Sequence, residues 1–420
     1  MKQNNIFYGW WIVLGSAVIL AVLGPASVAV ANIFQTPVTA EFGISNSQFA
    51  ISNSLVLGVG IFLSPYISQK LAGKNFRLVF LIGIFAYVLA YAGYGLAPNM
   101  YVFYLLSLFV GFGYMTTTII PVSMMVNNWF IQKRGLALSL ALSGLGIGGV
   151  VFSQLLTWLI GNVGWRQTYM IYGALMFLVA TPIVWFIFKA SPEDMNLTAL
   201  GASKLNQQEQ QEEGQQEQSQ GVSLPVTETM AKPFFILLVV GSVIVGIISN
   251  GGLGQFPPVL YGMHGPAVGA TIISVYSGVG IIGKIVLGNI NDRYGTVVST
   301  IYAAILMVMT YLAMMFAGNI ILAFMMAVLF GMGNAVGTVA PPLITSAIYS
   351  SKNYPKAYGY VQSGVQLGLT FGSLFAAAIA DFTGSYNFAW GTLSILSAIL
   401  AVSWIGAYRN AQKYIQRPKR

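Results

Sequence analysis

Twelve stretches of the chain are long and apolar enough to cross a bilayer. They run roughly over 9–34, 48–69, 76–97, 100–126, 135–160, 166–188, 233–260, 267–290, 297–317, 319–348, 357–380 and 387–408. A membrane helix needs about 20 mostly apolar residues, and each stretch qualifies. The pattern predicts an all-α integral membrane protein with twelve transmembrane helices. Lys2 is followed by a span far longer than a signal's apolar stretch, so no cleavable signal peptide is expected. Between the sixth and seventh spans the pattern stops. Asn206 to Gln220 is a Gln/Glu tract with almost nothing apolar, and such a tract cannot bury enough surface to fold alone. The predicted organisation is a six-helix lobe over 1–189, a disordered cytoplasmic linker over 190–232, a second six-helix lobe over 233–409 and a basic tail over 410–420.

Composition agrees. Only 7% of the 420 residues are charged, against about 25% in a soluble domain, too few to cover soluble surfaces. The net charge of +9 invites a nucleic-acid reading, but the placement of the charges argues for topology instead. Arg166 alone lies on one side and Lys284 lies inside a span, which leaves 17 of the 19 basic residues on the opposite side. Basic loops stay in the cytoplasm, so both termini and the linker are expected there, in a multi-pass protein of the cell membrane. There is no cysteine and a single histidine, His264, which excludes a disulfide frame and a multi-histidine metal cluster. No metal or other cofactor is expected.

The halves overlay on a shift of 220. Gln35-Thr36-Pro37 falls on Gln255-Phe256-Pro257, Gly58 to Ile61 on Gly278 to Ile281, Gly111-Phe112-Gly113 on Gly331-Met332-Gly333, and Pro121 on Pro341. With a further slip of four, Gly135, Gly144 and Gly148 fall on Gly359, Gly368 and Gly372. Two pseudo-symmetric six-helix lobes in parallel repeat are the architecture of two-lobed secondary transporters, whose substrate site is expected at the bilayer midplane. Two glycine patterns, Gly144 to Gly149 and Gly278 to Gly283, imitate a dinucleotide fingerprint. Both lie inside apolar spans with no preceding strand, so helix packing is the better reading.

The loop after the eighth span reads Gly288-Asn-Ile-Asn-Asp292-Arg293-Tyr294-Gly295 and resembles the G-x-x-x-D-R-x-G signature of the major facilitator superfamily. Its first-half counterpart, Tyr66 to Gly73, has Lys70 in place of the acid. Within that superfamily the chain resembles the monocarboxylate transporter and oxalate:formate antiporter group. The stretches that carry this are Pro37-Val38 before Gly43-Ile44-Ser45, Trp129-Phe130-x-x-Lys133-Arg134-Gly135-x-Ala137, Gly164-Trp165-Arg166, and Asn353-Tyr354 with Tyr358-Gly359. The resemblance implies the major facilitator fold and a cytoplasmic gate in which Asp292, with Gly288 and Arg293, braces against the start of the fifth span at Arg134 and Gly135.

Lys284 is the ionisable residue set inside the twelve spans. A lysine at mid-helix costs on the order of 2.5–3.5 kcal/mol, a cost that points to function. The predicted spans contain no carboxylate, and an anionic substrate would supply a countercharge. In the resembled group this position carries a substrate-binding arginine. Lysine is a point charge without arginine's bidentate fork. Ser277 and Gly280 share its helix face. Val365 stands where the oxalate exchanger has a second cation, and Ser27 to Asn32 lacks that exchanger's aromatic box; one charge suits a monocarboxylate better than a dicarboxylate. Further polar candidates for the substrate are Asn32, Gln35, Asn250, Gln255, Asn334, Gln362 and Gln366, each also a candidate for helix–helix hydrogen bonding. No catalytic constellation is present, so the protein is read as a transporter rather than an enzyme. The expectation is a monomeric carrier of a small organic anion of the lactate, pyruvate or formate class. It would work by alternating access, as proton symport or anion exchange, with lipid as its surroundings and no nucleic-acid partner. The competing readings are a proton-coupled efflux carrier for amphiphilic compounds and a non-transporting membrane sensor.

Overall fold

The computed structural model describes residues 7–27, 31–73, 75–202, 221–222 and 224–415. It is helical throughout, and the pairing outside helices consists of two isolated β-bridges among the described residues. The chain divides into two compact units, Met1–Gly214 and Gln215–Arg420. The acidic tract predicted as a disordered linker lies outside the described residues, as do Lys74 and the end of the basic tail.

The N-terminal unit contains α1 (Gly9–Ser27), α2 (Gln35–Phe42), α3 (Asn46–Leu71), α4 (Phe76–Gly93), α5 (Met100–Thr117), α6 (Ile119–Trp129), α7 (Arg134–Val163) and α8 (Trp165–Pro182). The C-terminal unit contains the short α9 (Val226–Thr229), then one helical run, Pro233–Met315, interrupted at Gly265 (φ 79°) and Gly295 (φ 83°). These left-handed glycines end helices where a side chain would be strained, and they divide the run into α10 (233–264), α11 (266–294) and α12 (296–315). After these come α13 (Ile320–Gly333), α14 (Ala340–Ile348), α15 (Tyr354–Thr383) and α16 (Tyr386–Ala411). All twelve predicted spans are present. Three are broken where a continuous helix was expected. The first passes through a 3-10 turn at Ala31–Phe34 and continues to Phe42; the fourth breaks at Thr118; the tenth breaks over Asn334–Gly337. Hydropathy is blind to these breaks because their cause is backbone chemistry. Pro121 and the pair Pro341-Pro342 lack the N–H that a continuous helix needs.

Small residues set the packing in both units, as expected where lipid removes the hydrophobic drive between helices. A Cβ on Gly111 would meet the Val56 carbonyl, and one on Gly331 the Tyr276 carbonyl; Gly113 lies on Tyr87, and Gly333 on Met307. Each member of these pairs is related to its partner by 220. The helix ends also correct one expectation. α7 and α15 both have 30 residues, and each is followed by a left-handed glycine, Gly164 (φ 82°) and Gly384 (φ 70°), at that same offset. No slip of four exists. α15 has glycines at 359, 364, 368 and 372, so Gly144 and Gly148 find glycine counterparts in either register. Gly144 and Gly148 press on the backbone of α1 at Ala17 and Ala21, and Gly364 and Gly368 on α10 at Val239 and Val243.

Tyrosine hydroxyls tie the helices together. Tyr87 and Tyr172 donate to the carbonyls of Leu23 and Val22 (both 2.8 Å), where α1 ends after Pro25. In the second unit Tyr311 donates to the carbonyl of Ile248.

The flanks of the predicted linker are ordered, which narrows that segment. Leu200 donates to the Trp129 carbonyl (3.0 Å) and accepts from Ile131 (3.1 Å). Val222 donates to the Ile348 carbonyl (2.8 Å) and accepts from Ser350 (3.4 Å). Each flank is held inside its own unit, at loop positions related by 219. The buried side chains Pro192, Val222 and Val226 explain the order, because they supply the apolar anchors that the acidic tract lacks. Thr229 hydrogen-bonds the Tyr349 hydroxyl (2.7 Å), whose pKa burial pushes up to about 12 against the lowering effect of that bond, so the phenol stays protonated.

Candidate substrate site

Lys284 lies well inside α11. The preceding residue, Gly283, sets its backbone directly on Gly331 and Met332 of α13, and Gly280 faces the Gly331 carbonyl. The lysine is half-buried, beside the point where α13 gives way to the 3-10 turn Asn334–Gly337. Ser277, on the same helix face, is exposed and returns its hydroxyl to the Ile273 carbonyl (2.8 Å). Gly288 is buried one turn beyond Lys284. Asp292 and Arg293 are exposed in the last turn of α11, and the neighbouring Asn291 side chain accepts from Ser299 (3.1 Å) at the start of α12.

Several polar candidates hold helices together. Asn250 donates to the Leu369 carbonyl (2.6 Å), fastening α10 to α15. Gln255 donates to Ser373 Oγ (2.9 Å) and accepts from the Tyr386 hydroxyl (2.9 Å), joining α10 to α15 and α16. Gln362 and Gln366 are buried on α15, and the Gln366 Oε1 has no hydrogen-bond partner among the described residues. Val365 is buried between them. Asn32 and Gln35 belong to the N-terminal unit; Asn32 is exposed and accepts from Asn53 (2.9 Å). The small-residue stretch from Ser27 to Asn32 lies partly outside the described residues. In the same unit the Arg134 guanidinium donates to the Phe130 carbonyl (2.9 Å), Gly135 is buried, and Lys133 opens α7 in the left-handed region (φ 58°).

Two features were missed in the sequence. The first is a set of buried, unpaired oxygens about the break of the tenth span. The Asn334 Oδ1, Thr338 Oγ1 and Ser249 Oγ are enclosed without a hydrogen-bond partner among the described residues. A Cβ placed on Gly337 would lie 2.5 Å from Ser249 Oγ and 3.9 Å from Asn334 Oδ1, so the glycine lets the backbone pack directly on Ser249. Asn334 stands out in the sequence as a polar candidate; Ser249 does not. The second is a clasp in the N-terminal unit. Arg166 pairs with Glu41 (2.9 Å), which also accepts from the Trp165 indole (2.6 Å), while the guanidinium reaches the carbonyls of Gly95 (3.0 Å) and Ala97 (2.9 Å). Glu41, one of two acids on the side of Arg166, was the available signal.

A multi-pass helical bundle of two repeated units, with a basic side chain set deep in the second, defines the class of membrane carriers. The Major Facilitator Superfamily model matches residues 14–348, and the chain belongs to that family. It is 23% identical over 376 residues to the uncharacterized MFS-type transporter YhjX of Escherichia coli strain K12, covering 86% of this chain and 85% of that one. It is 27% identical over 172 residues to human monocarboxylate transporter 14, covering 40% of this chain and 34% of that protein. The chain thus spans about a third of the length of that relative. Among solved structures it is similar to the proton:xylose symporter XylE bound to 6-bromo-6-deoxy-D-glucose, with a TM-score of 0.72 at 12% identity over 97% of this chain and 99% of that one. A bacterial homolog of the human lysosomal transporter Spinster, inward-facing and unoccupied, gives 0.60 at 17% identity over 99% and 100% of the two chains. These similarities show the fold.

Proposed function

We propose that the protein is a secondary carrier of a small organic anion, a monocarboxylate of the lactate, pyruvate or formate class. It works at the cell membrane with both termini in the cytoplasm, by proton symport or anion exchange. The observation that carries the reading is Lys284, a cation deep in α11, next in the chain to Gly283, whose backbone packs on Gly331 and Met332 just before the break in the tenth span. A carboxylate bound there gains a charge-assisted hydrogen bond in a low-dielectric setting. The partial similarity to proteins named monocarboxylate transporters supports the substrate class. Asp292 and Arg293, at the cytoplasmic end of the same helix, act in gating rather than in holding the substrate.

The test is uptake of labelled lactate, pyruvate, formate and oxalate into liposomes holding the purified protein, wild type and Lys284→Met. The wild type should take up at least one monocarboxylate in preference to oxalate. Lys284→Met should lose that uptake, and the acid should no longer raise its unfolding temperature. Wild-type-like binding by the Met variant would sink the assignment of the anion site.

A further inference from the structure

We infer that His264 is a proton-sensitive clasp that fastens the outer end of the seventh span to the turn after the ninth. The outer side is the one that the basic loops predict to be external. The inference goes beyond the carrier reading and does not depend on which substrate is carried.

The repeat presents the clasp twice. The third and ninth spans end in the same turn, where Ala97 and Ala317 each donate to the carbonyl three residues back (both 3.2 Å). Two residues on, the side chains of Asn99 and Asn319 cap the next helix. Each alanine carbonyl is then gripped by a side chain from elsewhere in its unit. In the N-terminal unit the Arg166 guanidinium donates to the Ala97 carbonyl (2.9 Å), while Glu41 near the end of α2 holds the same guanidinium. At the offset of 220, Arg166 and Glu41 give way to Tyr386 and Tyr261. The Tyr386 hydroxyl goes to Gln255 instead, and the Ala317 carbonyl is taken by His264 Nε2 at 2.6 Å. Both units thus tie the outer end of their first span to the turn after their third. One tie runs through a permanent cation. The other runs through a side chain of the type that changes charge between pH 5 and 8.

A carbonyl can only accept, so Nε2 carries the hydrogen, and a proton gained in acid goes to Nδ1. The bond is kept and becomes charge-assisted, as that of Arg166 already is. His264 is half-buried at the last residue of α10, and Ala317 lies just past the end of α12. Two helix C-termini therefore meet at the ring, and both favour a cation. Residues 259–270 of α10 and α11, and residues 313–322 around the turn from α12 to α13, contain no Asp, Glu, Lys or Arg. The titratable side chain they add to His264 is Tyr261, exposed one turn before it. From α16 the Tyr386 phenol is engaged with Gln255, and on α15 the acid at this end, Asp381, is exposed. Acid outside tightens the clasp, and its loss at higher pH frees the outer end of α10 from the turn after α12.

The experiment is hydrogen exchange on the full-length protein in detergent at about pH 5.5 and about pH 7.5, on either side of histidine's ordinary titration point. Rates are corrected for the intrinsic pH dependence of amide exchange. In the wild type, protection over residues 259–265 and 316–319 should be several-fold greater at the lower pH. His264→Gln keeps a side-chain donor and removes the titration, so its protection should be the same at both. His264→Arg supplies a permanent cation and should show the acid level of protection at both. Residues 35–42, tied through Arg166, should not respond to pH in any of the three proteins. Equal protection at the two pH values in the wild type overturns the inference. So does a pH response that persists in His264→Gln. Neither result involves transport, so each leaves the carrier reading to its own test.

Discussion

Lys284 was legible because a charge in an apolar run costs enough to stand out. Ser249, packed against Gly337, was not. A serine in a membrane helix usually returns its hydroxyl to its own backbone, as Ser242 does to Leu238 (2.7 Å), and nothing in the sequence separates the two cases. Only the three-dimensional bond inventory does. The amide candidates show the converse limit. Asn250 and Gln255 look like ligands in a sequence, yet each side chain bonds a neighbouring helix. The charge at 284 can also be tested by shape. Lys284→Arg keeps the cation and adds a fork that grips both carboxylate oxygens. It should retain uptake within about tenfold of wild type and accept oxalate better, as measured by competition. Complete loss of uptake in the Arg variant would mean that the lysine's geometry, rather than its charge, holds the substrate.

Helix count and order could be read from apolar length; the breaks and the close contacts could not. A hydropathy window averages over Pro121 and Pro341 and so misses the lost N–H that interrupts a span. Glycine contacts depend on which backbone lies opposite. Gly113→Val should lower the unfolding midpoint clearly, since an added side chain meets the Tyr87 backbone and overpacking typically costs about 1–3 kcal/mol. Gly278→Ala, with nothing within 4 Å of its added carbon, should be neutral. Thermal unfolding in detergent distinguishes them, and equal midpoints would contradict the packing described. The Glu41–Arg166 clasp holds α2 to the start of α8 and to the loop after α4. Glu41→Gln removes the charge and keeps the size. Because the pair is partly exposed, the loss should be about 1 kcal/mol at most. Hydrogen exchange over residues 35–42 should rise several-fold, and exchange in α7 should not change.

The basic loops predict the orientation of the chain in the bilayer. The chain has no cysteine, so introduced thiols report without background. Cysteines at Lys413 and Asn162 should label from opposite sides in intact cells. Only the one at Asn162 should react with an impermeant reagent added outside. Labelling of Lys413→Cys from outside would reverse the assigned topology. The repeat was visible from ordered glycine matches, but its register was ambiguous until the ends of α7 and α15 fixed the offset at 220.

The bonds made by Leu200 and Val222 redefine the tether between the halves. By hydropathy it would run over 190–232. By hydrogen bonding it begins at Leu200 and ends at Val222, each fastened to the loop that leads into a 30-residue helix, α7 or α15. The chain between those knots could span at most about 75 Å, at roughly 3.3–3.6 Å per residue. Any pull on that segment is delivered first to the loops before α7 and α15, not to the helices the linker joins in sequence. Removing ten residues from its middle would cut that maximal reach to about 40 Å, whereas cutting either knot would move the point of pull to another helix.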